Sequence, residues 1–420
     1  MAALMSVRRF DGALSVMRIA GYRNYTVGST ISLMGTWIQR VAQGWLVWQI
    51  TESPAWLGLI AFSTLGALMV MSPIAGVAAD RIDRIKLSRI AQAMMMAQSI
   101  ALAVLVWGGW ADRWIVLALA IYLGIGHAFH TSARLALVPN LVPAELMAPA
   151  IAINSVIYQL ATFIGPAVAG IIIVRFGVAW AFTLNILTFA IFLAMLTRVR
   201  LLRHESPAPR IGLGPAIVEG FRYAVVHPGI RPLLAALLVG TFTVRAVTDL
   251  LPGFSAQVFA RGAEGLAWLT SMVGLGAMLG GLWMAQRPHV AGLTQVVVAC
   301  MGGVAAAMLL FVATDFFPFA LVALVASGFA MLVNSTGTQT LVQSAVDGRM
   351  RGRVLSVFNI VLQGSPAIGS LAIGAVSEWL GLRWPVAIGA VLCGAAWLWI
   401  LPRRAAIAAV MECDAVPARS

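Results

Sequence analysis

The chain has 420 residues, of which 61% are hydrophobic and 10% charged, and its mean hydropathy is +0.92. This composition excludes an ordinary soluble globule and indicates a protein that folds in lipid. The formal net charge of +13 would favour a nucleic-acid partner in a soluble protein. Because the positive charge is sorted by side of the membrane, we expect a lipid bilayer and no nucleic acid as partner.

Apolar runs along the chain predict twelve membrane spans. Each run holds about 20 residues or more, which is enough to cross the hydrocarbon core of a bilayer. The runs lie near 24–51, 54–79, 87–110, 114–138, 148–174, 178–198, 230–256, 265–286, 292–313, 317–341, 354–377 and 384–401. The predicted fold class is therefore an all-α membrane protein.

Basic residues are concentrated on one side of these spans. With the N-terminus inside, 22 of the 28 Lys and Arg residues fall in cytoplasmic segments. Four fall on the opposite side, and two, Arg40 and Arg245, lie within spans. The positive-inside rule then predicts a multi-pass protein of the bacterial inner membrane with both termini in the cytoplasm.

The chain repeats itself at an offset of 204 to 205 residues. GPAVAGIIIVRFGVAW from Gly165 returns as GSLAIGAVSEWLGLRW from Gly369, and LMGTWIQR, which ends at Arg40, returns as LVGTFTVR, which ends at Arg245. Six spans separate the copies, so the two six-helix repeats are parallel. Parallel repeats are typical of transporters, with the substrate site where the halves meet.

The repeat and the charge pattern predict four regions. Residues 1–198 form the N-terminal six-helix half, and residues 231–402 form the C-terminal half. Residues 199–230 form a cytoplasmic linker, which includes an amphipathic segment near 217–226 that is suited to the membrane surface. Residues 403–420 mix small, charged and proline types without periodicity, which predicts a disordered cytoplasmic tail.

The loop after the second span, GVAADRIDRIK, resembles the signature loop of the major facilitator superfamily, G-x-x-x-D-R-x-G-R-[RK]. The resemblance implies a cytoplasmic gate formed by Gly76, Asp80, Arg81, Arg84 and Lys86. Asp83 stands where the family has its second glycine, which puts the tightness of the turn in doubt. The alternative is that the basic residues only set topology. The second-half copy, GLWMAQR from Gly281, lacks the aspartate, so the gate is expected to be asymmetric.

GPAVAG in the fifth span resembles the glycine–proline signature of exporters in this superfamily. The resemblance implies export, with Gly165, Pro166 and Gly170 forming a helix bend. A proline in a helix removes a backbone hydrogen bond, and glycines let a neighbouring helix approach. Ordinary small-residue packing is the alternative.

Nearly the whole chain resembles the enterobactin-exporter and macrolide-efflux branch of the superfamily, the transmembrane secretion effectors. The stretches that carry the resemblance are GTWIQRVAQGWLVWQITESP, LVPNLVPAELMAPAIAINS, LLPGF, GLGAMLGG and RMRGRVLSVFN. The resemblance implies a siderophore or a drug as small-molecule cargo. His130 occupies a position where many relatives have an acid.

Two arginines and one aspartate are predicted to lie deep in spans. Arg40 and Arg245 are equivalent by the repeat, and Asp249 follows Arg245 by four residues, on the same face of an α-helix. Buried charge is costly in a bilayer unless it faces a partner or a watery cavity. We therefore expect a cavity that prefers an anionic or catechol-like cargo, with Asp249 trading its proton or its arginine partner. A structural ion pair is the alternative.

Further polar and aromatic residues are candidates for the same substrate or proton cavity. His130 and Arg134 form a polar stripe with His127, although a histidine satisfied by a backbone carbonyl is the alternative. Other candidates are Trp37, Tyr158, Asn154, Trp45, Trp48, Gln159, Asn185, Asn334, Gln339, Asn359 and Gln363. Packing or interhelical hydrogen bonding is the alternative for several of them.

The combined features predict a monomeric, proton-coupled exporter that works by alternating access. The sequence has no ATP-binding P-loop, G-x-x-x-x-G-K-[ST]. The cysteines show no metal-ligand or disulfide spacing, so neither a metal nor another cofactor is expected. An importer of the same fold is the main alternative. A membrane enzyme is a weaker one, because it would need a compact set of acids, histidines or cysteines.

Overall fold

The computed structural model describes residues 15–199, 201, 213–287, 289–346 and 348–412. These ranges are almost entirely helical and contain no β-strand. The chain folds as two compact units. The first unit comprises Met1–Ile50 and Ser63–Pro209, and the second comprises Thr51–Phe62 and Arg210–Ser420.

The first unit is built from six long helices, of which the second begins in the other unit. They are α1 (Ala20–Thr51), α2 (Pro54–Arg81), α3 (Arg84–Trp107), α4 (Arg113–Leu137), α5 (Met147–Phe176) and α6 (Val178–Leu196). Asp112 caps the start of α4 by accepting a hydrogen bond from the backbone N–H of Trp114. Gly177, with a φ of 90°, makes the sharp turn between α5 and α6, where a side chain would be strained.

The second unit holds the remaining helices. They are α7 (Leu213–Val226), α8 (Ile230–Thr243), α9 (Gly262–Ala285), α10 (Leu293–Ala313), α11 (Phe317–Ala345), α12 (Gly348–Leu380), α13 (Arg383–Ile400) and α14 (Arg404–Met411). After α8 the chain continues as a 3₁₀ segment (Arg245–Leu250), a single α-turn (Leu251–Gly253) and a π-turn (Phe254–Val258). The seventh predicted span is therefore helical throughout but leaves α geometry at Arg245.

Eleven helical segments of the described residues are long and apolar enough to cross a membrane. They correspond to the second to twelfth predicted spans. The first predicted span is α1, which is long enough at 32 residues but carries Gln39, Arg40 and Gln43 in its middle. The all-α membrane fold is thus confirmed, and α1 is the most polar of its long helices.

The predicted linker contains a helix that packs against α12. Gly220 of α7 lies so close to α12 that a Cβ there would be 2.6 Å from the carbonyl oxygen of Arg353. Glu219 forms an ion pair with Arg353. Val218 and Phe221 are exposed on α7, as expected of an amphipathic surface helix.

The expectation of a disordered tail is wrong for the part that the structure describes. Residues 404–411 form α14, and Ile407 and Met411 are buried. These two apolar side chains are four residues apart, so they share one face of the helix and are buried together. The mixed composition of the segment does not reveal this face. Residues 413–420 lie outside the described part of the chain.

Candidate functional site

A network of buried amides joins three helices of the first unit. Gln39 on α1 donates from Nε2 to Oε1 of Gln98 on α3 at 2.6 Å. Its own Oε1 accepts from Nδ2 of Asn185 on α6 at 2.6 Å and from the Ser99 hydroxyl. Gln98 in turn donates to Gln43 at 3.5 Å. Because every bond joins side chains in an apolar medium, the network fixes how these helices are rotated against each other.

The close approach of α1 to α6 depends on Gly35. A Cβ at this position would overlap the side-chain oxygens of Asn185 and Thr188. Thr188 itself donates to Asn185 Oδ1 at 2.7 Å. Asn185, a candidate cavity residue in the sequence, is therefore part of interhelical packing. Gln39 and Gln98 were not predicted, because their pairing depends on helix rotation.

Four of the predicted site residues meet on one side of α1 and α5. The guanidinium carbon of Arg40 lies 5.3 Å from the ring centroid of Trp37. Trp37 meets Tyr158 edge to face, with ring centroids 6.2 Å apart. A Cβ on Gly165 would lie 2.5 Å from Cβ of Trp37, so the indole sits directly on α5. We call Trp37, Arg40 and Tyr158 the aromatic platform.

The aromatic platform is open on one side. Arg40 is exposed, Trp37 is half-buried and Tyr158 is 44% exposed. Asn154 precedes Tyr158 by four residues, so it lies on the same face of α5, and it is half-buried. The arrangement offers a cation, two aromatic faces and an amide to a planar, hydrogen-bonding molecule.

His130 lies in the buried part of α4. Its ring meets Phe192 at a centroid distance of 6.5 Å. Its Nδ1 is buried and has no hydrogen-bond partner within the described part of the chain. No backbone carbonyl of the described residues satisfies this nitrogen. Arg134, one turn later, is exposed.

In the second unit, Arg245 lines a small cavity of about 30 Å³, which is room for about one water molecule. The polar wall of the cavity consists of Arg245, Thr241, Asn334 and Ser335. Asn334 is anchored, since its Nδ2 donates to the carbonyl of Val297 at 3.0 Å. The rest of the lining is Ala236, Leu237, Gly240, Met301, Val304, Met331, Leu362 and Cys393.

The two repeats differ at this position. Gly240 is the repeat partner of Gly35, but the nearest atom to a Cβ placed there would be Sγ of Cys393, at 3.9 Å. Val244 replaces Gln39, the centre of the amide network. The first unit therefore has a filled polar core where the second has open space.

Asp249 lies in a segment that departs from α geometry. The segment Arg245–Leu250 is a 3₁₀ helix, with three residues per turn. The shared α-helical face of Arg245 and Asp249 therefore stays a prediction. Oδ2 of Asp249 accepts a hydrogen bond from the hydroxyl of Ser370 on α12 at 2.9 Å, and Ser370 is a partner that the sequence did not reveal.

The structure shows why Asp83 can stand in place of the second glycine of the signature loop. It is the N-cap of α3, with φ −50° and ψ 130°, and it accepts a hydrogen bond from the backbone N–H of Lys86 at 2.8 Å. The backbone needs no glycine there because φ is negative. Gly76, Asp80 and Arg84 are half-buried, while Arg81 and Lys86 are exposed. Their role as a gate stays a prediction.

The equivalent end of the second repeat uses an acid from elsewhere in the chain. Glu412, just after α14, accepts hydrogen bonds from the backbone N–H groups of Gly292 at 2.7 Å and Thr294 at 2.8 Å. It therefore caps α10 as Asp83 caps α3. Arg287 lies over the ring of Trp283, 5.5 Å from its centroid.

The glycine–proline motif lies inside α5. Gly165, Pro166 and Gly170 are all buried, and the helix continues through Pro166 to Phe176. Pro366 is likewise inside α12. Gly165 contributes the contact with Trp37, and the proposed bending of these helices stays a prediction.

Eleven apolar helical segments among the described residues indicate a multi-pass membrane protein, and the side chains of Gln39, Gln98 and Asn185 are buried within it. In the ranges that the structure describes, no three His, Cys, Asp or Glu residues come together as metal ligands. A multi-pass helical fold built from two repeats is typical of membrane transporters. The chain belongs to the transmembrane secretion effector family of the major facilitator superfamily, whose model matches residues 11–418. It is therefore a transporter and not an enzyme.

Curated relatives of this chain are exporters. It is 26% identical over 371 residues to the enterobactin exporter of Salmonella typhi, with 88% of each chain covered. It is 25% identical over 356 residues to the enterobactin exporter of Escherichia coli O1:K1 / APEC, with 84% of this chain and 85% of the relative covered.

Solved transporter structures share the fold. A bacterial homologue of the human lysosomal transporter Spinster, inward-facing and unoccupied, gives a TM-score of 0.69 at 14% identity, covering 97% of this chain and 99% of its own. A peptide transporter, POT, in complex with sulfate gives 0.72 at 13% identity, covering 94% and 99%. At this identity the likeness shows the fold alone.

Proposed function

We propose that the protein exports a small organic molecule, of the siderophore or drug class, from the cytoplasm across the bacterial inner membrane. Protons entering the cell drive the export, and alternating access exposes the binding residues to one side at a time. The favoured cargo is anionic or rich in catechol groups. Relatives that are enterobactin exporters support both the direction and the cargo class.

The aromatic platform is the observation that carries this proposal. Trp37 and Tyr158 offer ring faces to a planar molecule, and the Arg40 guanidinium next to Trp37 adds a positive charge for phenolate or carboxylate oxygens. A cargo with aromatic rings and negative charge fits both features.

Arg245 and Asp249 are separate candidate residues, which lie in the second unit. Arg245 lines the cavity beside Asn334, and Asp249 holds the hydroxyl of Ser370. We propose that Asp249 carries the exchanged proton, because it is half-buried within a span and acids at such positions form the proton relays of pumps and transporters. His130 is the second candidate, because its buried Nδ1 has no partner among the described groups.

The orientation follows from the distribution of positive charge. With both termini in the cytoplasm, the loop with Asp80 and Arg81 lies on the cytoplasmic face, where it acts as the gate. An importer of the same fold would carry the same loop. Measurement of the direction of transport distinguishes the two.

Secretion by cells tests the proposal. An Escherichia coli strain that lacks its own enterobactin exporter is given this protein, and enterobactin in the medium is measured with and without an uncoupler. We expect secretion to recover, to stop when the proton gradient collapses, and to fall about tenfold in Arg40→Ala, as loss of a charge-assisted contact would cause.

Arg175→Ala is the matched control, since Arg175 is exposed in the last turn of α5 and away from the aromatic platform. Equal secretion by both variants would refute the role of Arg40. No secretion by the parental protein, with uptake of enterobactin instead, would support an importer.

A further inference from the structure

The first turn of α2 is held by an acid of α12. Oε2 of Glu378 accepts a hydrogen bond from the hydroxyl of Ser53 at 2.7 Å and from the backbone N–H of Ala55 at 3.3 Å. Oγ of Ser53 accepts in turn from the backbone N–H of Trp56 at 3.3 Å. The start of α2 is thus capped by its own serine and by a carboxylate more than 300 residues away in sequence.

Two glycines bring the backbones of α2 and α12 into contact at the same place. A Cβ on Gly374 would lie 2.6 Å from the carbonyl oxygen of Pro54. A Cβ on Gly58 would overlap the carbonyl oxygen of Ser370. Small residues at such a crossing let the two backbones pack closely in a membrane.

Ser370, Gly374 and Glu378 lie four residues apart, so they form one stripe along α12. At one end of the stripe the Ser370 hydroxyl lies 2.9 Å both from Oδ2 of Asp249, the proposed proton carrier, and from the carbonyl oxygen of Pro366, so it can exchange one acceptor for the other. At the other end Glu378 holds Ser53. The stripe therefore connects Asp249 to the first turn of α2 within the second unit.

The position of this contact along α2 gives it a role. α2 has 28 residues and is about 42 Å long, and its other end carries Asp80 and Arg81 of the signature loop. A helix fastened at opposite ends in alternation suits a protein that opens to one side at a time.

We propose that Glu378, Gly374 and Ser370 form a releasable latch on the first turn of α2, and that Ser370 links the latch to Asp249. This inference rests on the proposed function. On the proposed orientation the latch closes the periplasmic end of the cargo path. A change in the hydrogen bond between Asp249 and Ser370 shifts α12 and frees Ser53 from Glu378. Ser370 and Glu378 are positioning residues in this proposal, since they act through Asp249 and the first turn of α2.

A reversible cross-link tests the release. Ser53→Cys and Glu378→Cys are combined in full-length protein whose Cys300, Cys393 and Cys413 are changed to serine, and the pair is joined in vesicles by a bis-methanethiosulfonate reagent that replaces the length of the Glu378 side chain. We expect the cross-linked pair to lower enterobactin transport by at least about tenfold and a reductant to restore it, because a fastened latch removes one state of the cycle.

The matched control is the pair Asp315→Cys and Arg383→Cys. These residues form an ion pair in the same unit. We expect the same cross-link at this pair to leave transport unchanged. Full transport by the cross-linked Ser53–Glu378 pair would overturn the latch.

A second measurement needs no cargo, so it separates the latch from the proposed function. Ser53 is 7% exposed, and a single cysteine at this position is labelled with a membrane-impermeant maleimide. We expect Glu378→Ala to raise the labelling rate about tenfold by removing a charge-assisted acceptor. We expect Ser370→Ala to raise it also.

Unchanged labelling in Glu378→Ala would overturn the latch. Unchanged labelling in Ser370→Ala alone would overturn the link to Asp249. If the labelling results hold and the parental vesicles do not move enterobactin, the proposed cargo is wrong and the latch stands.

Discussion

The side-chain amide of Asn185 on α6 donates a hydrogen bond to the amide oxygen of Gln39 on α1 at 2.6 Å, and Gln39 donates in turn to the amide oxygen of Gln98 on α3. The first unit is therefore held together by amides in a place where the second unit has Val244 and a cavity. Polar groups that are satisfied within a membrane specify one arrangement of helices, and their loss leaves partners unpaired.

Gln39→Val, which copies the residue of the second repeat, should destabilise the protein. The change leaves Gln98, Ser99 and Asn185 without their shared partner, which costs about 1–3 kcal/mol. Thermal unfolding in detergent measures the loss. Gln49→Val, at an exposed position of the same helix, is the control. Equal melting temperatures for the two variants would show that the network contributes no stability.

The two glycines that the repeat pairs should respond differently to alanine. Gly35→Ala forces a Cβ onto Asn185 and Thr188, so we expect a loss of about 1–3 kcal/mol by overpacking. Gly240→Ala meets only the Cys393 sulfur at an ordinary 3.9 Å, so the fold should tolerate it.

Transport measurements extend the same comparison. Gly240→Ala narrows the cavity beside Arg245, so we expect less transport at unchanged melting temperature. A variant with both properties unchanged would show that this cavity plays no part in the cycle.

Substitutions of Asp83 should follow the order expected of an N-cap. Asp83→Asn keeps an acceptor for the Lys86 N–H and should be nearly neutral. Asp83→Gly should cost a few tenths of a kcal/mol, and Asp83→Ala about 1 kcal/mol. Hydrogen exchange at the first turn of α3 reports this order directly. Faster exchange in the glycine variant than in the alanine variant would contradict it.

His227 should make stability depend on pH. Its Nδ1 accepts hydrogen bonds from the backbone N–H groups of Gly229 and Ile230, both at 3.2 Å, at the start of α8. Burial lowers the pKa of His227 below its usual 6.5. The unfolded chain therefore binds a proton before the folded chain does, and the stabilisation that is complete above pH 6.5 is lost as the pH falls.

His227→Asn tests this dependence, because asparagine keeps a side-chain acceptor and does not titrate. As the pH is lowered from about 7 to about 5, the melting temperature of the parental protein should fall relative to that of the variant. A difference that is constant over this range would rule out His227 as the titrating group.

Hydropathy and the internal repeat were enough to predict the all-helical membrane fold, because the length of each span and the spacing of the glycines can be read from the sequence. The departure from α geometry at Arg245 was not predictable, because no proline or glycine marks it in the sequence. The helix at Arg404–Met411 was not predicted, because its buried face consists of two residues, Ile407 and Met411, which is too few to give a visible pattern.

The site was predictable in part for a similar reason. Trp37, Arg40 and Tyr158 were each marked by being aromatic or charged in an apolar span, and the structure brings them together. Gln39, Gln98 and Ser370 act through partners on other helices. The rotation that brings them together is a tertiary property that no local pattern records.

Transport into everted membrane vesicles tests the central claim most directly. In these vesicles an exporter moves enterobactin inward when the lumen is acidified, and the rate is compared between the parental protein, Arg40→Ala and Arg175→Ala. The account predicts uptake that an uncoupler abolishes and that falls about tenfold in Arg40→Ala alone. Uptake that ignores the uncoupler, or that is equal in all three proteins, would contradict it.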